Sequence, residues 1–392
     1  MKRLIPIIAL CLAAAACSSG GSRLIDENVE FASAQIDNEI AVIEAETREV
    51  LNPITTDKDG NVLYRNYHDW RSGFFPGSVW LLYELTGNEK YLPLAKKYTE
   101  AIKDVRFITD NHDVGFISMC SFGNGLRLAN VDGYKDVLIQ TAESLLTRFR
   151  EPADLIQSWQ SNSKWTCPVI IDNMMNLELL FKVSELTGDK KYYDYAVRHA
   201  DRTLVEHFRP DGSCWHVVDY NPETGEVRSK VTHQGYSDDS IWSRGHAWAI
   251  YGYTMAYRFT GDRRYIDQAI KTFNVMRNHP DMAEDCIPYW DMCAPNIPDE
   301  PRDVSSAAII ASALYEISTM DVENPAQYKE YADRIINALS SPAYRAELGT
   351  NGNFLLMHSV GSFPHGAEVD KPLNYADYYF LEALKRKKEI EK

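Results

Sequence analysis

A chain of 392 residues with 45% hydrophobic residues has ample material for a large core, and its net charge of −15, with no basic stripe to offset it, argues against nucleic acid as a partner. Beyond a Debye length of roughly 10 Å the overall charge is screened, so an acidic small molecule held by local Arg and His side chains is still admitted.

The chain opens MKRLIPIIALCLAAAACSSGGS. Lys2 and Arg3 form a basic start, Leu4 to Leu12 a short apolar run, and Ala13 to Ala16 a small-residue stretch before Cys17. The run is too short to span a bilayer and reads as an export signal. A Cys after small residues resembles a bacterial lipoprotein box. It implies a lipid anchor on Cys17 as the only membrane contact and a place in the periplasm or cell envelope. An ordinary secretory signal cleaved nearby is the alternative. Residues 1–22 are set aside as signal and tether. Residues 23–392 read as one domain, since no Pro/Ser-rich linker or charge block divides them.

Next come recurring helical hairpins. "LLYELTGNEKYLPLAKKYTEAI", "LLFKVSELTGDKKYYDYAVRHADRTL" and "YGYTMAYRFTGDRRYIDQAIKTFNVM" share one plan: an apolar helix ending at Thr-Gly, a polar turn, and a second helix with a Tyr near its start. Gly87, Gly188 and Gly261 suit the left-handed position after a helix, and Asn88, Asp189 and Asp262 the turn that follows. "LANVDGYKDVLIQTAESLL" and "ALYEISTMDVENPAQYKEYADRII" are degenerate copies, and "IDNEIAVIEAETREVL" is expected to pair with "GSVWLLYEL". Six pairs predict a mainly α fold, an (α/α)6 barrel around a central pocket. "SCWHVVDY" and "GEVRSKVT" predict a small β insertion. Cys120, Cys167, Cys214, Cys286 and Cys293 lack CxxC spacing and read as buried free thiols, with no zinc signature.

The segments where helices begin carry the chemistry. "YHDWRSGFFPGSVW" holds Trp70, "DNHDVGFISMCSFGNG" holds Asp113, and "IIDNMMNLELLF" holds Asp172. His216 lies in "SCWHVVDY". Gln234, Trp242, Arg244, His246 and Trp248 lie in "THQGYSDDSIWSRGHAWAIYGY", and Tyr375 in the C-terminal "LNYADYYFLEAL". Aromatic faces stack on sugar rings, Arg grips a carboxylate with two parallel bonds, and two carboxyls in one pocket raise each other's proton affinity. No P-loop, GxSxG, Rossmann glycine pattern or HExxH appears. The residues therefore point to a carbohydrate-active pocket with paired Asp residues and neither metal nor cofactor. Each also has a structural explanation. Asp172 can cap a helix, Asp113 can hold a turn, Arg244 can pair with Asp238 or Asp239, and Trp242 and Trp248 can both be core.

Together "DWRSGFFPG", "NHDVGF", "IIDNMMNLELLF", "HQGYSDDSIWSRGHAWAIYGY" and "LNYADYYFLEAL" resemble glycoside hydrolase family 88, the unsaturated glucuronyl hydrolases, across residues 25–385. The resemblance implies an enzyme that removes 4,5-unsaturated uronate from lyase-generated oligosaccharides by hydrating the C4=C5 vinyl ether. By position it implies Asp172 as general acid/base and Asp113 as the carboxylate that tunes it. His216, Gln234, Trp242, Arg244, Trp248, Trp70 and Tyr375 become substrate-binding residues. This chain has Gly-His-Ala-Trp at 245–248 where family members often have Gln, leaving His246 as either an extra cation or a neutral buried residue. Rival readings are an unsaturated rhamnogalacturonyl hydrolase or a sugar epimerase on the same barrel, and a lipid-anchored glycan-binding protein without turnover.

Overall fold

The structure, a computed structural model, describes residues 6–45 and 52–392, with side chains from Arg23 onward. The expected leader and the expected anchor on Cys17 fall outside the described side chains. No helix among the described residues is long and apolar enough to cross a membrane.

Helix α1 (Pro6–Ala45) precedes an antiparallel pair, β1 (Asn52–Thr56) and β2 (Val62–Arg65). The first hairpin is α2 (Phe74–Thr86) with α3 (Tyr91–Glu100). A broken helix follows, in which α4 (Val114–Ser118) runs through a π turn at Met119–Gly123 into α5 (Asn124–Ala129), with α6 (Tyr134–Leu146) as its outer partner. After the short strands β3 (Phe149–Arg150), β4 (Leu155–Ile156) and β5 (Pro168–Ile170), a 3-10 turn at Ile171–Asn176 leads into α7 (Leu177–Thr187) and α8 (Lys190–Glu206). Strands β6 (Val217–Tyr220) and β7 (Val227–Val231) precede the hairpins α9 (Ser243–Thr260) with α10 (Arg263–Arg277) and α11 (Val304–Ile317) with α12 (Ala326–Leu339). The chain closes with β8 (Ser359–Ser362), β9 (Ala367–Lys371) and α13 (Asn374–Ile390).

Burial separates two rings. Inner helices α9 and α11 are buried on all sides, whereas outer helices bury one stripe, such as Tyr192, Ala196, His199, Ala200 and Thr203 on α8. The inner elements α2, α4–α5, α7, α9, α11 and α13 pack each on the next, and α13 packs back on α2. The expected (α/α)6 barrel therefore closes. The expected early pairing is refined: α2 hairpins with α3, and α1 fills the outer position between α2 and α13.

The hairpin turns follow the sequence pattern. Gly87, Gly188 and Gly261 take φ of 63°, 73° and 69°. The Asp189 and Asp262 carboxylates accept from the Lys191 and Arg264 N–H groups. In the degenerate copy Asn130, at φ 43°, ends α5 instead. The β insertion pairs β6 with β7 as expected, but β5 joins it and gives the order β5–β6–β7. All five cysteines from Cys120 onward are free, yet Cys293 is exposed rather than buried.

Asp262→Ala should lower unfolding free energy by about 1 kcal/mol, the usual worth of such a cap. Denaturant titration is expected to show this with turnover unchanged, because the turn lies outside the inner ring.

Candidate active site

Asp172 is positioned by a strand, not by a helix cap. β5 pairs with β6 in the register Ile170↔Val217, and the Ile171 N–H donates to the His216 carbonyl at 3.0 Å. The chain then enters the 3-10 turn, so Asp172 lies in its first turn, two residues beyond the capping position, which Ile170 occupies. Its Oδ2 is buried without a hydrogen-bond partner. The capping explanation therefore fails, because no side chain caps this turn. His216 precedes β6 and does not lie within a strand.

The turn is held between α9 and α4. A Cβ on Gly252 of α9 would stand 2.6 Å from Met174 Cβ, and one on Gly115 of α4 would stand 2.6 Å from Asn176 Cα. Only glycine permits both approaches. Asn176 then joins the segments: its Oδ1 accepts from the Phe116 N–H at 2.9 Å and its Nδ2 donates to Asp113 Oδ1 at 3.3 Å. Asp113 begins α4 without capping it through its side chain, and its own N–H donates to Asn111. His112 Nε2 stands 3.2 Å from Asp113 Oδ1.

Both carboxyls line a cleft of about 460 Å³ that includes Trp70, Trp159, Gln234 and Arg244. Burial is the main cause that pushes both up to about 7. For Asp172 the Arg244 charge opposes this and the Asp113 charge adds to it. For Asp113 the Asn176 hydrogen bond and Arg148 oppose it and Asp69 adds to it. The two groups are thus poised to give and take protons near neutral pH.

Arg244 pairs with neither Asp238 nor Asp239. Its guanidinium lies 3.4 Å from Asp303 Oδ2 and donates to the Val360 and Gly361 carbonyls of β8. It remains buried with its charge facing the cleft, between the Trp242 and Tyr375 rings. Gln234 donates to the same Gly361 carbonyl at 3.0 Å. Trp242 and His216 stack behind the cleft with ring centroids 4.3 Å apart. Trp248 and Tyr375 are buried at the back and do not line it; Tyr375 supports Trp70 at 5.1 Å. His246 is neutral. Burial brings it down to about 4, its Nδ1 meets the Trp242 carbonyl at 2.9 Å, and its Nε2 accepts from the Cys214 N–H at 3.1 Å.

Trp159 is a wall residue that motif reading missed. It belongs to "SWQSNSKW", where ring-to-ring contact with Trp165 at 5.3 Å and with His233 at 5.8 Å orders the rim. The only signal available was a pair of Trp residues in an otherwise polar loop. A larger cavity, about 740 Å³, lies toward the opposite ends of the inner helices. There Arg258 meets Glu178 and Glu316, and Arg386 meets Glu316, at 2.6–2.9 Å. Those ion pairs match charge with charge. Among the described residues no group of three or more His, Cys, Asp or Glu is placed to hold a metal ion.

The chain matches the model of Glycosyl Hydrolase Family 88 over residues 42–389. An unsaturated glucuronyl hydrolase of Formosa agariphila is 47% identical over 324 residues, covering 82% of this chain and 80% of the relative. An unsaturated chondroitin disaccharide hydrolase of Streptococcus pyogenes serotype M1 is 31% identical over 345 residues, covering 85% of each chain. The crystal structure of an unsaturated glucuronyl hydrolase specific for heparin matches with a TM-score of 0.90 at 40% identity, over 94% of this chain and 98% of that one.

A carboxyl whose proton affinity rises on folding weakens the fold as pH climbs from the unfolded value, about 4, through the folded value. Asp172→Asn should therefore unfold at a higher temperature than the parent at pH 8. The gain should shrink to a small remainder at pH 4, where the parent carboxyl is protonated in the folded state and about half protonated in the unfolded one. Thermal unfolding at the two pH values measures it.

Proposed function

The chain belongs to Glycosyl Hydrolase Family 88, and from that premise we propose that it removes 4,5-unsaturated uronate from the non-reducing end of glycosaminoglycan-derived oligosaccharides. The observation that carries this reading is the carboxyl pair. Asp172 and Asp113 share one aromatic-lined cleft and both hold protons up to about pH 7, with the Arg244 cation beside Asp172.

In this reading Asp172 is the general acid/base. It transfers its proton to C4 of the vinyl ether, and positive charge develops at C5 and the ring oxygen. Water adds at C5 and returns a proton to Asp172. The hemiketal opens to a C5 ketone, and C1 then releases the neighbouring sugar as an alcohol, so one water is consumed and the enzyme is restored. Asp113 adds to the burial that keeps the proton affinity of Asp172 high. The Arg244 charge faces the uronate carboxylate, and Trp70 and Trp159 offer flat faces to the sugars. Gln234, on the cleft wall, and Trp242, behind it, complete the uronate end. The basic start, short apolar run and Cys17 of the N-terminal sequence support a cell-envelope enzyme lipid-anchored on Cys17, where lyase products from outside the cell would arrive.

The test follows loss of the ultraviolet absorbance of the conjugated uronate with lyase-generated disaccharides of chondroitin, hyaluronan, heparan and pectin. Loss with at least one glycosaminoglycan product is expected. Asp172→Asn should lower kcat by about 10²- to 10⁴-fold while still binding the disaccharide. No loss with any of the four would overturn the assignment, and turnover of the pectin product alone would favour a rhamnogalacturonyl hydrolase.

A further inference from the structure

His216 stands beside Asp172, but its hydrogen bonds face the wrong way for a residue reading substrate. Its Nδ1 receives two backbone N–H groups, from His233 at 3.2 Å and Gln234 at 3.1 Å. A nitrogen accepting two donors carries no proton, so the neutral ring must carry its proton on Nε2. The ring is buried, and burial first, then the His233 and Arg244 charges, hold its proton affinity well below the ordinary range. It is therefore neutral throughout the working pH range. Trp242 lies over one face of the ring, centroids 4.3 Å apart at 31°, which opposes rotation.

The Nε2–H stands 3.8 Å from Asp172 Oδ2. Neither atom has another hydrogen-bond partner, and both are buried. The side chain of Asp172 keeps 13% of its surface exposed, and this exposure does not come from Oδ2. Oδ1 is thus the oxygen on the cleft side. An acid proton on Oδ2 would meet the His216 proton head-on, whereas a proton on Oδ1 meets the cleft.

From this geometry we infer that His216 is a positioning residue: its fixed Nε2–H occupies the buried oxygen of Asp172 and directs the acid proton onto the oxygen that faces C4 of the substrate. The inference rests on the proposed role of Asp172 as proton donor. After that proton leaves, the same N–H stabilises the carboxylate left behind, closing the 3.8 Å gap to a hydrogen bond. Other charged or titratable groups act on the pair. Arg244 from α9, Asp113 before α4 and Cys214 face Asp172, while His233, Arg244, His207 and Lys164 face His216.

Two substitutions separate the ring's two nitrogens. His216→Asn keeps an acceptor near the Nδ1 position and removes the donor, whereas His216→Gln restores a donor near Nε2. In His216→Asn, kcat should fall roughly 10- to 100-fold with KM nearly unchanged. The alkaline limb of its pH profile should move to higher pH, because the carboxylate has lost a donor. His216→Gln should recover much of kcat and move the limb back. A KM-borne loss with an unmoved limb would overturn the inference in favour of substrate contact. Nitrogen NMR of the imidazoles in the full chain reads the tautomer without activity, the His216 signal being the one absent from His216→Asn. Proton on Nε2 is expected, and proton on Nδ1 would overturn the inference even if the hydrolase assignment stood.

Discussion

The site depends on one side-chain amide. Asn176 accepts from the Phe116 N–H and donates to Asp113, so the turn that carries Asp172 and the helix that begins at Asp113 are fixed relative to each other by a single planar group. That amide reaches both because Gly115 allows α4 to touch the turn at van der Waals contact. Two carboxyls delivered by different segments of the chain thereby become parts of one rigid body. Burial of the surrounding residues then sets their chemistry, since removing water raises proton affinity before any neighbouring charge acts.

The neighbours divide the remaining work. Arg244 is the strongest opposing charge on Asp172, and its guanidinium is also a structural bolt that ties α9 to β8 through the Val360 and Gly361 carbonyls. Because Gln234 binds the same Gly361 carbonyl, the β8 strand, the loop after β7 and α9 share one anchor beside the cleft. A charge fixed in this way costs no reorganisation when a uronate carboxylate arrives, which is the economy of a preorganised site. Burial, with a smaller addition from the Asp113 charge, is what prevents Arg244 from turning Asp172 into a permanent anion.

Much of the barrel was legible because its signals are local. Thr-Gly followed by Asp or Asn marks a hairpin within a few residues, and Gly188 with Asp189 or Gly261 with Asp262 behave as that chemistry requires. Asp172 and Asp113 were singled out by resemblance, while spacing alone left each with a structural excuse. What escaped was non-local. β5 is three residues long and exists only through its pairing with β6, so the sequence around Asp172 read as a helix start. The carbonyl partners of Arg244 lie more than a hundred residues away in β8 and its ion-pair partner is Asp303, whereas neighbouring Asp238 and Asp239 were the obvious local candidates. Trp159 sits in a loop with no periodicity, and Trp248, attractive as a sugar platform, is packed against Phe116 and Tyr379 behind the wall. The packing of α1 on α2 was legible in the sequence, whereas its packing on α13, which joins the two ends of the chain, has no signature in either.

The central claim is that a proton goes to C4 and a water oxygen to C5, with no attack at the anomeric carbon. Isotope tracing of the released products tests it most directly. Turnover in deuterated, heavy-oxygen water should place one deuterium on C4 and the heavy oxygen on C5, leaving the released sugar's hydroxyl oxygen unlabelled. Heavy oxygen on C1 of a uronate that still contains its C4=C5 bond would show ordinary glycoside hydrolysis and contradict the account.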